Sequence, residues 1–312
     1  MIRLMLAGCL ATGLSMNVWA QRAIEFAPYV LPEAGALAIA VRQSEEGTAM
    51  MTGALADVDA RTGGQLSAAI GEAGFIGVED TTLTLYAIAP YARIDLVGLG
   101  AGPVDRLDAE DFGGLAAGLN TGTGGRDVHV LWPGDEGTPG ASADRVAFGF
   151  RLGDYRFDRY QVTQLDPETL GAVRVLSNDG ASAARFSDDL EHLAAAIYLA
   201  RDLASEPGNV IYPESFVDRV EDAFDGVRRV DIKVLDEDDL ERLRMGAHLG
   251  VGKGSDRPPR LLIIEYTGGG DEAPLVLAGK GVTFDTGGIS LKPPEDMWHM
   301  KADLSGAAAV SA

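Results

Sequence analysis

The sequence predicts an α/β protein in two successive parts, on three observations. Short, continuously apolar runs alternate with Gly-rich turns through residues 22–180. One long amphipathic helix follows, over Ser187–Ser205. A second set of strand-like and helix-like segments then occupies 186–312. Runs that are apolar at every position, rather than at alternate ones, belong to strands covered on both faces, as in a largely parallel sheet.

In the first part, "ALAIAV" (Ala36–Val41), "LTLYAI" (Leu83–Ile88), "RIDLVGLG" (Arg93–Gly100) and "VHVLWP" (Val128–Pro133) are the predicted buried strands. Helical windows at Gln65–Ala73 and Asp108–Leu119 separate them, and "GTPGASAD" (Gly137–Asp144) is a loop. The connecting helix places Leu190, Leu193, Ile197 and Ala200 at helical spacing, with Ser187 and two aspartates at its start. Pro207-Gly208 ends it, and the boundary between the parts is set near residue 185. Beyond come a strand "VDIKVL" (Val230–Leu235), an acidic helix around Asp236–Arg244, and strands "LLIIEY" (Leu261–Tyr266) and "LVLA" (Leu275–Ala278).

Composition narrows the function. The chain has 312 residues, 46% of them hydrophobic and 23% charged, which is enough for two cores. A net charge of -21 repels nucleic acid and anionic lipid, so no nucleic-acid partner is expected. Cys9 is the single cysteine, which excludes disulfides and cysteine-based zinc sites. The opening "MIRLMLAGCLATGLSMNVWAQ" carries one arginine, an apolar run and a small-residue stop, so residues 1–20 read as a secretory signal or an upstream extension. A lipoprotein reading of "LAGC" leaves only the eight residues before Cys9 for a charged and an apolar region, too few for both. No other segment approaches the ~20 apolar residues of a membrane span.

Several familiar motifs are absent. Lys253 and Lys280 each follow a glycine but are followed by glycine rather than Ser or Thr, so neither ends a P-loop. There is no GxGxxG after a strand, no HExxH and no GxSxG, and His129, His192, His248 and His299 are scattered.

The chemistry concentrates in "GKGVTFDTGGISLKPPEDMWHMKAD", which presents Lys280, Asp285, Lys292 and Asp303 after an apolar run. Ligands in open α/β sheets bind at the carboxyl ends of strands, and Lys280 follows such an end. Carboxylates suit hard or borderline divalent ions, and one can bridge two of them. A lysine ligates only as neutral amine, whereas a charged one polarises a carbonyl. Spacing alone leaves two readings open: a metal site, or two Lys–Asp salt bridges on a surface loop.

In spacing and identity this stretch resembles the signature of the leucyl aminopeptidase family of dinuclear metallopeptidases. "LARDLASEPGNVIYPESF" (Leu199–Phe216), "MGAHLGVGKGSDRPPRLLIIEY" (Met245–Tyr266), "RIDLVGLG" and "YRFDRY" (Tyr155–Tyr160) resemble it too. The resemblance implies a macro-like N-terminal α/β domain over 22–180 and the first part of an α/β metallopeptidase catalytic domain over 186–312. It implies that Lys280, Asp285 and Asp303 are metal ligands, with Asp285 shared between two divalent ions, Mn2+ or Zn2+. Lys292 would be the catalytic lysine facing the scissile carbonyl, and Met300 would line the pocket for the first side chain. Lys280, Asp285, Lys292, Met300 and Asp303 together would contact substrate. The implied reaction removes leucine-like residues from peptides with a free N-terminus, using water activated between two metal ions. The family is cytoplasmic and hexameric; export through residues 1–20 is the alternative. The family's "NTDAEGR"-type segment, which supplies further ligands, is missing here, so the 312-residue chain is expected to be an inactive fragment. Competing readings are a DNA-binding or regulatory role, and a module binding a nucleotide-like ligand near "NTGTGG" (Asn120–Gly125).

Overall fold

The computed structural model describes residues 21–120, 126–132, 141–162, 169–270 and 273–312. The expectations placed on residues 1–20, on Thr121–Gly125 and on the first half of Gly137–Asp144 lie outside those residues; of its second half, Ala143 and Asp144 open a helix rather than continue a loop. The chain forms two compact units, the first ending at Tyr198 and the second beginning at Leu199.

The first unit is built on a six-stranded sheet. Its strands in chain order are β1 (Ile24–Pro28), β2 (Gly35–Val41), β3 (Thr82–Ile88), β4 (Tyr91–Gly98), β5 (Val128–Leu131) and β6 (Val173–Ser177), and their spatial order is β1-β6-β5-β2-β4-β3. All pairings are parallel except β3 with β4. The expectation of a largely parallel, buried sheet holds for β2, β4 and β5. It fails for β3, which is an antiparallel edge strand with Tyr86 65% exposed. A strand at the edge has one neighbour, and the short return to β4 forces the antiparallel direction.

Alternation along β2 divides the core. Leu37, Ile39 and Val41 pack with Leu55, Val58, Leu66 and Ile70 of helices α1 (Gly53–Arg61) and α2 (Gln65–Ala73). Ala38 packs on the other side with Phe112, Ala116, Val146 and Phe150 of α3 (Arg106–Asn120) and α4 (Ala143–Gly153). Helices thus cover both sheet faces, which is why these strands read as continuous apolar runs. Helices α3 and α4 approach closely at glycines. A Cβ on Gly149 would lie well under 3 Å from the Glu110 carbonyl oxygen, and one on Gly113 would meet the Val146 carbonyl equally closely.

One charge sits inside this core. Asp95 of β4 is fully buried and accepts hydrogen bonds from Thr84 Oγ1 at 2.6 Å, Arg93 Nε at 2.9 Å and Asn120 Nδ2 at 3.1 Å. Removing one partner of a buried ion pair strands the other in a poor solvent. Asp95→Ala is therefore expected to destabilise the first unit by about 3 kcal/mol, read as a lower urea midpoint. A change under about 0.5 kcal/mol would refute this.

The connecting helix differs from expectation in its start and its face. It begins as α5 (Ser182–Arg185), passes through a π-helical turn at Phe186–Leu190, and continues as α6 (Glu191–Ser205). Leu190, Ala194 and Tyr198 form the buried i, i+4, i+8 row, and Leu193 is 48% exposed. Leu193 lies about 100° from Ala194 around the helix, which turns it to solvent. Tyr198 fixes the choice: its ring packs edge-on against Tyr155 and its hydroxyl donates to the Arg151 carbonyl.

The second unit contains α7 (Pro213–Phe224), β7 (Val230–Leu235), α8 (Glu237–Arg242), α9 (Gly246–Gly252), β8 (Leu261–Tyr266) and a final α10 (Ser305–Val310). β7 and β8 pair antiparallel as a two-stranded sheet. Leu203, Ile211, Phe216, Val220, Leu304 and Ala308 form its buried core. The strand expected at Leu275–Ala278 is absent. That run belongs to no strand or ladder, with Leu275, Val276 and Leu277 at 86%, 79% and 67% exposure. Apolar, β-prone residues make a strand only where a neighbour supplies hydrogen bonds, and no described residue does so here. Among the described residues no helix is long and apolar enough to cross a membrane.

Candidate functional site

The segment from Lys280 to Asp303 is irregular, so backbone contacts rather than a regular element place its side chains. Lys280 is seated against the start of α10: its carbonyl accepts from Ala307 N–H at 2.8 Å. The two main chains touch at glycines. A Cβ on Gly279 would lie well under 3 Å from the Gly306 carbonyl oxygen, and one on Gly306 would come within 2.8 Å of Lys280 N. Gly279→Ala is therefore expected to push Lys280 out of place. In a proton–nitrogen correlation spectrum, shifts should concentrate on residues 279–281 and 305–308, with the first unit's signals unmoved. Shifts no larger than those from Gly254→Ala, where a Cβ meets nothing within 4 Å, would count against it.

Asp285 sits in a tight turn. Its Oδ1 accepts from Gly287 N–H at 2.9 Å, and Lys292 N–H closes the loop on the Thr286 carbonyl at 2.9 Å. Gly287 has φ +89°, and a Cβ there would run into the Ser290 carbonyl, so the position requires glycine. Phe284, just before Asp285, lies across Gly208 in the turn after α6. Asp303 is carried by a 3-10 helix, Met297–Leu304, whose last residue is fully buried in the core.

These elements bring all four charged candidates together. Lys280 Nζ is 2.9 Å from Asp303 Oδ1 and 3.9 Å from Asp285 Oδ2. Lys292 Nζ is 3.0 Å from Asp285 Oδ2 and 3.6 Å from Asp303 Oδ2. Met300 joins them, its sulfur accepting from Lys292 Nζ at 2.9 Å. The Lys292 ammonium, with help from Gly287 N–H, holds the Asp285 carboxyl down at about 2, and Asp285 in turn raises the Lys292 amine. Asp285 is thus an anion and Lys292 a cation throughout the neutral range.

One atom stands out. Asp303 Oδ2 is buried without a hydrogen-bond partner. A buried carboxylate oxygen normally has one, and carboxylate oxygens are the ligands a divalent cation takes. Among the described residues no group of three or more His, Cys, Asp or Glu side chains is arranged around such a point. The donors present are the two carboxylates and, where its amine is neutral, Lys280; the Lys292 ammonium has no lone pair to give.

Sequence reasoning placed the cluster but missed its supports: Gly208 under Phe284, the Gly279–Gly306 contact, and the Gly287 turn. The "GKG" and "TGG" glycines were the available signal, since such runs admit close backbone approach. In the first unit, a crevice at the end of β4 is lined by Glu79, Asp80, Asp108 and Asp111. Desolvation, then Asp80 and Asp108, push the Asp111 carboxyl up. Four carboxylates repel a nucleotide phosphate at this crevice.

Comparison with known proteins follows the same division. The sequence model for the N-terminal domain of the cytosol aminopeptidase family matches residues 38–164, and that for its catalytic domain matches residues 198–312. A probable cytosol aminopeptidase of Caulobacter vibrioides is 38% identical over 299 residues, covering 92% of this chain and 58% of that protein. A mutant of tomato leucine aminopeptidase shares the fold at TM-score 0.74 and 23% identity, over 95% of this chain and 59% of the other. The bottromycin maturation enzyme BotP, solved in complex with Mn, aligns at TM-score 0.64 and 26% identity, over 89% and 54%. The chain spans about half the length of the curated relatives it matches.

Proposed function

Because the chain belongs to the cytosol aminopeptidase family, matching models of both its N-terminal and its catalytic domain, we propose that the whole protein is a metal-dependent aminopeptidase. The observation that carries the metal reading is the buried Asp303 Oδ2, which accepts no hydrogen bond and lies 3.6 Å from the Lys292 Nζ that also reaches Asp285 Oδ2. Lys280, Asp285 and Asp303 would hold divalent metal, two ions in the complete centre, with Asp285 between them. A similar protein solved with manganese supports that metal as a probe. Bound ions would supply Lewis acidity and a water made nucleophilic at neutral pH.

The chain's own residues would do the rest. Lys292 is charged, its ammonium 3.0 Å from Asp285 Oδ2, 3.6 Å from Asp303 Oδ2 and in contact with the Met300 sulfur. Such a cation polarises a peptide carbonyl and stabilises the oxygen as charge develops on it. Met300 would also offer an apolar wall to the first side chain, consistent with leucine-like residues. Asp285 and Asp303 would attract a substrate's free amino group, which favours removal of N-terminal residues over internal cleavage. Domain limits of 22–180 and 186–312, a hexamer and a cytoplasmic location belong to the same proposal, through family kinship. A DNA-binding role is disfavoured by the net charge of -21.

The test is hydrolysis of leucine amide by the whole protein with added manganese. Leucine release that chelation stops and Lys292→Met removes is the expected result. Cleavage unaffected by chelation, or confined to internal peptide bonds, would overturn the proposal.

A further inference from the structure

We propose that Lys301 is a positioning residue for the candidate metal site: it ties the 3-10 helix that carries Met300 and Asp303 to the C-terminal end of α6. The inference rests on the metal reading of Lys280, Asp285 and Asp303, but its geometry is independent of any metal.

A 3-10 helix is a poor support by itself. Its hydrogen bonds are badly aligned, and runs longer than three or four residues are uncommon. The one carrying Asp303 has eight residues, Met297–Leu304. It needs outside anchors, and beyond the contacts of Lys280 and Lys292 with Asp303 and Met300 the described residues show three. Leu304 is fully buried at its end. The Met300 carbonyl accepts a long, 3.4 Å bond from Asp285 N–H. The third anchor is Lys301, whose Nζ donates to the Ser205 carbonyl at 2.8 Å.

Ser205 is the last residue of α6, where carbonyls lack intrahelical partners and the helix dipole presents its negative end. A lysine ammonium there both satisfies an acceptor and meets a favourable field. The acceptor is itself well fixed. Leu203 is buried in the core, and Glu206, fully buried, accepts from Arg219 Nη1 of α7 at 2.7 Å. Lys301 also lies 6.0 Å above the Trp298 ring, one turn earlier in the same 3-10 helix. Among the described residues its ammonium makes no ion pair with a carboxylate, so it does not belong to the Lys280–Asp285–Lys292–Asp303 cluster. Its effect on Asp303, two residues on, runs through the backbone.

The experiment compares the 312-residue chain with Lys301→Met, which keeps the length and loses the donor, and Lys301→Arg, which keeps a cationic donor. Hydrogen exchange without metal is read along the chain, and manganese affinity is read by calorimetry. Lys301→Met is expected to speed exchange about tenfold across residues 297–305, leave α7 and the first unit at parental rates, and weaken manganese binding about tenfold. Lys301→Arg is expected to restore both. Parental exchange and affinity in Lys301→Met would overturn the proposal. So would faster exchange spread evenly over the second unit, which a merely stabilising lysine would give. If the parent chain binds no manganese, the metal reading falls, and the exchange comparison still decides the role of Lys301.

Discussion

Gly149→Val is expected to destabilise the first unit by about 4–5 kcal/mol. The native α3–α4 crossing has no room for a side chain at this position, since even a Cβ would stand well under 3 Å from the Glu110 carbonyl oxygen. The obstacle is helix backbone, which cannot rotate away as a flexible side chain can. Gly113 and Gly153 make the same demand along the same contact, so separating the helices at one point loosens the others. Phe112, Ala116, Val146 and Phe150 would then lose packing against the sheet. Overpacking commonly costs 1–3 kcal/mol, and a backbone clash between two helices belongs above that range, on the order of 4–5 kcal/mol. Against a typical stability of about 5–15 kcal/mol, this consumes roughly a quarter to all of the margin, so the urea midpoint falls steeply. Circular dichroism during a urea titration reads it directly. The control is Gly71→Ala in α2, where an added Cβ meets nothing within 4 Å. There the helix gains up to about 1 kcal/mol from the loss of backbone freedom in the unfolded chain. A Gly149→Val protein that melts like Gly71→Ala would show that the helices cross further apart.

Legibility of the fold followed burial. β2 and β4 are covered on both faces; β2 is apolar along its whole length, and β4 is apolar at Ile94, Leu96 and Val97 around the Arg93–Asp95 pair. β6 was not legible, although it is internal to the sheet. It is five residues long, and its Arg174 pairs with Glu25 on β1 and with Asp127 beside β5, giving the segment a polar reading. α4 was hidden differently: its close packing on α3 uses Gly149 and Gly153, residues that lower helix propensity and read as turn signals. Leu275–Ala278 shows the converse error. Its composition suits a strand, but composition carries no information about whether a neighbouring strand is there to pair with it.

The site's residues were legible for a reason that the structure partly replaces. Lys280 was singled out as the residue after a strand, yet no strand precedes it. What brings Lys280 to Asp303 is the contact of Gly279 with Gly306, twenty-seven positions apart in sequence, a distance at which local pattern is silent. What brings Asp285 to Lys292 is local: the turn at Gly287 and the bond from Lys292 N–H to the Thr286 carbonyl. The second pairing could be inferred from "DTGGISLK" by turn chemistry. The first needed the fold.

Asp303→Asn separates the two readings that spacing left open. As a surface ion pair, Asp303 matters through Lys280 Nζ at 2.9 Å, on a lysine side chain 55% exposed. Exposed pairs contribute about 0–1 kcal/mol, so that reading predicts a small fall in stability and no metal binding in either protein. As a metal ligand, Asp303 matters through its buried Oδ2, which accepts no hydrogen bond, and its negative charge. Asparagine keeps the shape and one oxygen, so the fold and the Leu304 anchor survive. The charge that draws a divalent ion is halved, however, leaving Asp285 as the remaining carboxylate. Losing a charged ligand exceeds the 10–100-fold effect of disturbing its surroundings, so manganese affinity should fall at least about 100-fold, or about 2.7 kcal/mol. The melting temperature without metal should move by no more than a few degrees. The metal-induced rise in melting temperature should be present in the parent and absent in Asp303→Asn, since a ligand that binds only the folded state stabilises it by mass action. Equal rises in both proteins would place the metal elsewhere on the chain. No rise in either would leave the four side chains as a salt-bridge network.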